Sequence, residues 1–376
     1  MRHKHLFHFL LFRKFKETKS LYFLIALKTF ALSLISIFVP IFLYKIGYSL
    51  NSIMLFFLIF SLCAFFSVFA GGFLFNKIGV KKSMLIGNLL LIVNYLLLAF
   101  IKVKPSFFYL APIVFGAYQG IFWVNFHTDM ADNLKRKKFA DGIGALNIIA
   151  SLVAAIAPFI GALIASVNFS TLFIISAVLI FVSIIPLFFS KGVREKGNFN
   201  IKEMFSLVNP KRFVAGIGVG GEYAIAYFVW PVFLFLLVGL KEIGWLTTIL
   251  MVISAIFIIL ITKWIDKKGP NKVMKAGTLI NTAHWPFRII PGLAVVWYLG
   301  YSFLETFSKM PYTIKTYCVG KKGREINAIA SREMTMMLGR IIAGVAIFMV
   351  PSFIFAFIIA TVFSIMQFPF AFEKER

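Results

Sequence analysis

Gly71-Gly72-Phe73-Leu74-Phe75-Asn76-Lys77-Ile78-Gly79-Val80-Lys81-Lys82-Ser83 is a basic turn set between two long apolar runs. Glycines let helices approach closely and let a chain reverse within a few residues, while lysines hold such a turn at charged headgroups. The stretch therefore reads as a short cytoplasmic loop joining two membrane helices. A second copy follows at Thr262-Lys263-Trp264-Ile265-Asp266-Lys267-Lys268-Gly269-Pro270-Asn271-Lys272, where Asp266, Lys267, Gly269 and Lys272 each stand 190 positions after Asn76, Lys77, Gly79 and Lys82. The flanks repeat at nearly the same offset, Pro40-Ile41-Phe42-Leu43 against Pro231-Val232-Phe233-Leu234. A shared offset of loop and flank implies a duplicated chain.

Composition points the same way. The 376 residues are 60% hydrophobic, 17% aromatic and 14% charged, with a mean hydropathy of +0.91, which excludes a soluble globule. The net charge of +25 sits in alternate loops and not on one soluble face, so it reports topology and gives no reason to expect nucleic acid. Two cysteines, Cys63 and Cys318, supply neither a disulfide framework nor a metal site. The sequence calls for no cofactor.

A membrane helix needs about 20 apolar residues. Stretches of that kind lie at 20–45, 50–75, 83–101, 106–128, 140–166, 169–190, 213–240, 243–264, 273–291, 293–315, 326–350 and 352–372. The expected fold is an all-α polytopic membrane protein of twelve transmembrane helices in two pseudo-symmetric six-helix bundles, 20–190 and 213–372. A basic arm (1–19) precedes them, a linker (191–212) joins them as a short surface helix with flexible ends, and a tail (373–376) follows. Lysines and arginines crowd the arm, the linker and the loops after helices 2, 4, 8 and 10, whereas the other side holds Lys45, Lys102, Lys104 and Lys241, with Arg288 near the end of helix 9. Both termini are therefore expected in the cytoplasm, and the expected location is a prokaryotic plasma membrane.

The order Gly72-x-x-x-Asn76-Lys77-x-Gly79-x-Lys81-Lys82 resembles the loop between helices 2 and 3 of the major facilitator superfamily of secondary transporters. The resemblance spans roughly residues 20 to 372. It implies a monomeric transporter, not an enzyme, that moves a small-molecule substrate across the lipid bilayer by alternating access, with protons as the expected coupling ion. Gly72, Asn76, Lys77, Gly79, Lys81 and Lys82, with Asp266, Lys267, Gly269 and Lys272, would then gate the halves. The family usually has aspartate where Asn76 stands, an acid that latches onto a base and the start of helix 11, so a weaker latch is expected here. Ala157-Pro158-Phe159-Ile160-Gly161-Ala162 resembles the family's antiporter motif with its outer glycines replaced. Together with the aromatic residues Tyr118, Trp123, Tyr223 and Trp230, which suit a large or flat solute, it favours efflux of an amphipathic compound over uptake of a sugar or organic anion.

Ionisable residues inside a span are costly and mark function. Lys28 and Glu222 fall at similar depths in helices 1 and 7, Glu305 and Lys309 stand one turn apart in helix 10, and Arg340 lies deep in helix 11. The resemblance brings Lys28, Glu222 and Glu305 to a central cavity, with Arg340 within reach. Glu222 is the expected proton or substrate carboxyl, with pairing to Lys28 as the static alternative; Glu305 is expected to pair with Lys309, with a role in the substrate or proton pathway as the alternative. His127, Asp129 and Asp132, at the end of helix 4, are expected to form a cytoplasmic gate against Lys81, Lys135 or Arg136. His284 and Arg288, beside Trp285, read as interfacial anchors. An intramembrane enzyme lacks its motifs here, with no H-E-x-x-H and no G-x-S-x-G. A transport-dead sensor is the remaining alternative, and the charges inside the spans argue against it.

Overall fold

The computed structural model describes residues 16–35, 37–135, 154–189, 198–319 and 324–373, and the regular elements in them are all helical. In chain order they are α1 (Lys16–Ile35), α2 (Phe38–Lys45), α3 (Leu50–Ile78), α4 (Val80–Ala99), α5 (Phe107–Lys135), α6 (Ala157–Val167), α7 (Phe169–Phe189), α8 (Ile201–Ser206), α9 (Pro210–Ala224), a π-helical turn (Ile225–Val229), α10 (Trp230–Val238), α11 (Leu240–Lys268), α12 (Pro270–Phe287), α13 (Ala294–Tyr317), α14 (Glu325–Met349), α15 (Phe353–Ile365) and α16 (Phe368–Ala371). Helix falls within each of the twelve apolar stretches. Seven helical stretches among the described residues are long and apolar enough to cross a membrane. Large apolar side chains such as Phe66, Val178, Ile256, Leu279 and Ile354 stand exposed along the helices of both bundles, an outer surface suited to lipid and not to water.

The internal repeat is visible as repeated backbone devices. Gly79 and Gly269 end α3 and α11 at φ 79° and 78°, where a side chain would be strained, and the chain reverses directly into α4 and α12. Prolines mark the second device. Pro40 stands in the first turn of α2, so the predicted single span 20–45 is two helices; Pro231 follows the π turn that interrupts the seventh span. Proline lacks the N–H for the carbonyl four residues back and crowds it, and a wider turn relieves that clash.

Close backbone approach holds each bundle. In the first, a Cβ on Gly120 would lie 2.5 Å from Val68 N, so α5 sits directly on α3. In the second, a Cβ on Gly220 would lie 1.8 Å from Met336 O, and one on Gly339 2.1 Å from Ile217 O, which seats α9 on α14. Between bundles, α3 packs on α14, α6 on α11, α5 on α14 and α2 on α10. The antiporter-like stretch is one such seam: Gly161 approaches Leu34 O of α1, and Ala162 faces Gly244 of α11.

Several expectations shift. The first helix already runs from Lys16, inside the predicted arm. The linker does contain a short helix, α8, capped by Asn200, whose side chain accepts from Glu203 N at 3.2 Å. Glu373, at the start of the tail, accepts hydrogen bonds from Arg212 and Asn209. Residues 1–15, 136–153, 190–197 and 374–376 lie outside the described residues, so the rest of the arm, the first part of helix 5 and the early linker do too.

Candidate solute cavity and its gates

A cavity of about 370 Å³ lies between the bundles, walled by α1, α3, α4 and α5 on one side and by the π turn and α14 on the other. Thr29, Ser33, Asn94 and Gln119 give it polar patches, and Tyr95, Tyr118, Trp123 and Tyr227 give it amphipathic rings. Across the bundles Phe57 stacks on Phe228 with centroids 3.8 Å apart and planes within 5° of parallel. The π turn puts Phe228 and Tyr227 on this wall, so the backbone irregularity at Pro231 serves the cavity directly.

Of the predicted pathway residues, Tyr118, Trp123 and Arg340 line the cavity. Lys28 is beside it and 6% exposed; its ammonium donates to Asn88 Oδ1 at 2.6 Å and lies 2.9 Å from the centre of the Phe122 ring. It does not pair with Glu222. Trp230 is not on the wall: it is 1% exposed in the second bundle, where the Arg288 guanidinium lies 4.4 Å from its ring and 3.9 Å from that of Trp285. That also overturns the interfacial reading of Arg288 and His284, which are 0% and 3% exposed and belong to the bundle core. The Arg288 charge is met by tryptophan faces and His284 Nε2 by the Trp297 carbonyl, 3.0 Å away, instead of headgroups.

Glu222 and Lys309 form a buried ion pair in the second bundle. The carboxylate, fully buried, also accepts from Asn281 at 2.8 Å and from Gln367 at 2.5 Å, and Lys309 donates to Gln367 Oε1 at 2.7 Å. Helices α9, α12 and α13 and the turn after α15 meet at this network. The expected Glu305–Lys309 pair is therefore replaced: one helical turn is a shorter path than a crossing between helices, but Glu222 offers a fully enclosed carboxylate. Glu305 accepts instead from the Tyr227 hydroxyl at 2.8 Å, which ties it to the cavity wall. Tyr223 lies between the two sites, its ring 5.6 Å from Lys309 Nζ and 5.4 Å from the Tyr227 ring.

At the end carrying the basic loops the bundles are joined twice. His127 Nδ1 is 2.6 Å from the Tyr317 hydroxyl of α13, and Nε2 is 3.9 Å from Glu333 of α14, itself held by Arg332 at 3.1 Å. His127, expected in a gate with Lys81, Lys135 or Arg136, thus reaches the other bundle at Tyr317 and Glu333. Asp129 is exposed, and Lys81, Lys82, Lys267 and Lys272 stand at the surface; the side chains of Asp132 and Lys135, and all of Arg136, lie outside the described residues.

The second join uses the linker. Asn76 donates to Phe199 O at 2.9 Å and accepts from Phe199 N at 2.8 Å, the pattern of one amide reading one peptide. From the other bundle Asn327 does the same across two residues, accepting from Asn200 N at 2.8 Å and donating to Asn198 O at 3.1 Å. The Phe199 ring fills the notch at Gly72, where a Cβ would lie 2.5 Å from it. The expected direct latch from the signature loop to helix 11 is therefore an indirect one, with residues 198–200 clasped between two asparagines. Asp266, in the repeat position, is exposed and makes no ion pair among the described residues. Lys77, beside Asn76, is likewise at the surface.

Sequence reasoning missed Asn88, Tyr227, Asn281, Asn327 and Gln367. Four of them are amides within apolar surroundings, the signal that could have found them.

A sequence profile described as the Major Facilitator Superfamily matches residues 21–280. Comparison with curated proteins finds no match. Among solved structures the chain is similar to the nucleoside transporter NupG (TM-score 0.70, 13% identity, covering 96% of this chain and 100% of that one) and to a D-xylose–proton symporter (0.70, 16%, 95% and 96%). The human organic anion transporter MFSD10 gives a TM-score of 0.68 at 13% identity, covering 94% of this chain and 98% of that one.

Proposed function

As a member of the major facilitator superfamily, to which the match over residues 21–280 assigns it, the chain is a membrane transporter, and we propose that it carries a small polar solute by alternating access with Glu305 as its proton-coupling carboxyl. One observation carries the reading: the cavity between the bundles has a carboxylate tied to its wall through Tyr227. A hydroxyl that both lines the cavity and holds the carboxyl can report solute arrival to the protonation site. The charged groups around Glu305 are Lys309 on the next turn, Glu222 and Arg288.

Glu222, the carboxyl expected from sequence to couple protons, has a complete set of partners away from the cavity, and we assign it to bundle stability. Efflux of an amphipathic compound loses its support as well. The antiporter-like stretch serves packing in this structure, and the fold relatives are described as carriers of nucleoside, xylose and organic anion. A cavity of about 370 Å³ with hydroxyl and amide patches suits a solute of that size and polarity. The excess of lysine and arginine in the basic loops supports a cytoplasmic side for the gated end and for both termini. Both walls of the pathway come from one chain, so a monomer suffices.

The test is uptake of labelled D-xylose, uridine and D-glucuronate into vesicles holding the purified protein, with and without an imposed pH gradient. Wild type should accumulate at least one solute down the proton gradient, and Glu305→Gln should retain exchange while losing accumulation. Accumulation by Glu305→Gln equal to wild type would remove the coupling role.

A further inference from the structure

Resting on that reading, we infer that the carried solute is a small organic oxyanion, a carboxylate or a phosphate, whose charged group seats against Arg340 and is drawn in by Lys28. The argument is one of missing counter-charge. Among the described residues Lys28 in the first bundle has only neutral partners: the Asn88 amide oxygen, the Phe122 ring and, at 5.6 Å, the Tyr118 ring on the cavity wall. Arg340 in the second bundle lines the cavity, and among the described residues its guanidinium makes no hydrogen bond or ion pair; Nε is buried without a partner. Its neighbours are the faces of Phe60 and Tyr223, 5.9 and 6.0 Å away.

Among the described residues, the carboxylates inside the spans are bonded elsewhere. Glu222 is bonded to Lys309, Glu333 to Arg332 and Glu305 to Tyr227. The chain does pair a buried lysine where the role is structural, as at Lys309, so the lack of a carboxylate partner at Lys28 and Arg340 among the described residues is selective. An uncompensated charge in a low-dielectric interior is costly, and it persists where the counter-ion arrives with a ligand. Arginine's planar fork matches the two oxygens of a carboxylate or phosphate, while a lysine acts as a point charge that raises local anion concentration. The buried Asn94 Oδ1, also without a partner and on the same wall, is an acceptor for a solute hydroxyl. Because the cations belong to opposite bundles, an anion between them pulls the bundles together. One proton taken up with a monoanion leaves the loaded carrier no more charged than the empty one.

The experiment measures the melting temperature of the purified full chain in detergent during titration with D-glucuronate, D-glucose 6-phosphate and D-xylose at constant ionic strength. Wild type should be stabilised saturably by one of the two oxyanions and not by xylose; which of them acts identifies carboxylate or phosphate. Arg340→Gln should need at least ten times the concentration, Arg340→Lys an intermediate one, and ligand-free Arg340→Gln should melt no lower than wild type, because it sheds an unpaired charge. Lys28→Met, on the other bundle, repeats the loss of response independently. An equal response in wild type and Arg340→Gln, a response to xylose alone, no response to either oxyanion, or a ligand-free Arg340→Gln that melts well below wild type would overturn the inference. Counterflow in vesicles separates this from the transporter reading. Wild type that moves xylose or uridine yet ignores both oxyanions sinks the anion alone, and wild type that moves no solute counts against both.

Discussion

Lys309, ion-paired to Glu222, and Lys28, held by an amide and a ring, show how differently two buried lysines are used. Removing either partner strands a charge in the second bundle, so Glu222→Gln and Lys309→Met should each cost about 3–5 kcal/mol, whereas the double replacement should recover most of the loss. Thermal unfolding of the four proteins checks this, and additive losses would contradict it. At Asn76 the same attention to donors and acceptors gives a less obvious result. Aspartate, the residue the superfamily usually carries there, can accept from Phe199 N but cannot donate to Phe199 O. Asn76→Asp should therefore weaken the clasp by about 1–3 kcal/mol and speed proteolysis of the linker, and unchanged cleavage would argue that the clasp is slack. At this scale legibility was uneven. Charges inside apolar stretches were visible as anomalies, but pairing across helices depends on rotation about each helix axis, and neighbours in sequence such as Glu305 and Lys309 look like partners when they are not.

The elements were read largely from their period and punctuation. The twin loops predicted two matching reversals, and Gly79 and Gly269 supply them with nearly the same positive φ. The interruptions were harder. Pro40 and Pro231 were noticed as a repeat, yet a proline's effect on the turn before it is a matter of backbone accommodation, which composition does not reveal. Restoring an N–H by Pro231→Ala should let the π turn close to an α-helix, rotating Tyr227 and Phe228 by about 100° relative to α10. Stability should hold or rise, and exchange should fall roughly ten-fold because the cavity wall is displaced. Unchanged exchange would show that the π turn is incidental. The linker, read as a short surface helix with flexible ends, is clasped at residues 198–200 by two asparagines distant in sequence, which no local pattern could indicate.

In the molecule as a whole, the bundles meet along α3–α14 and α6–α11, with the cavity between them. The α6–α11 seam is tight enough that a Cβ on Gly244 would lie 2.4 Å from that of Ala162. Gly244→Leu should hold this end apart, abolish exchange and leave helix content intact by circular dichroism; normal exchange would show that closure there is not needed. Alternating access itself is tested most directly without knowing the solute. Cys63 and Cys318 are replaced by serine, Ser33 on the cavity wall becomes the sole cysteine, and a membrane-impermeant maleimide is applied to uniformly oriented vesicles from one face or the other. The account predicts labelling from both faces, with the Asn76→Asp variant labelled faster from the face bearing the basic loops. Labelling from one face only, or from neither, would contradict it.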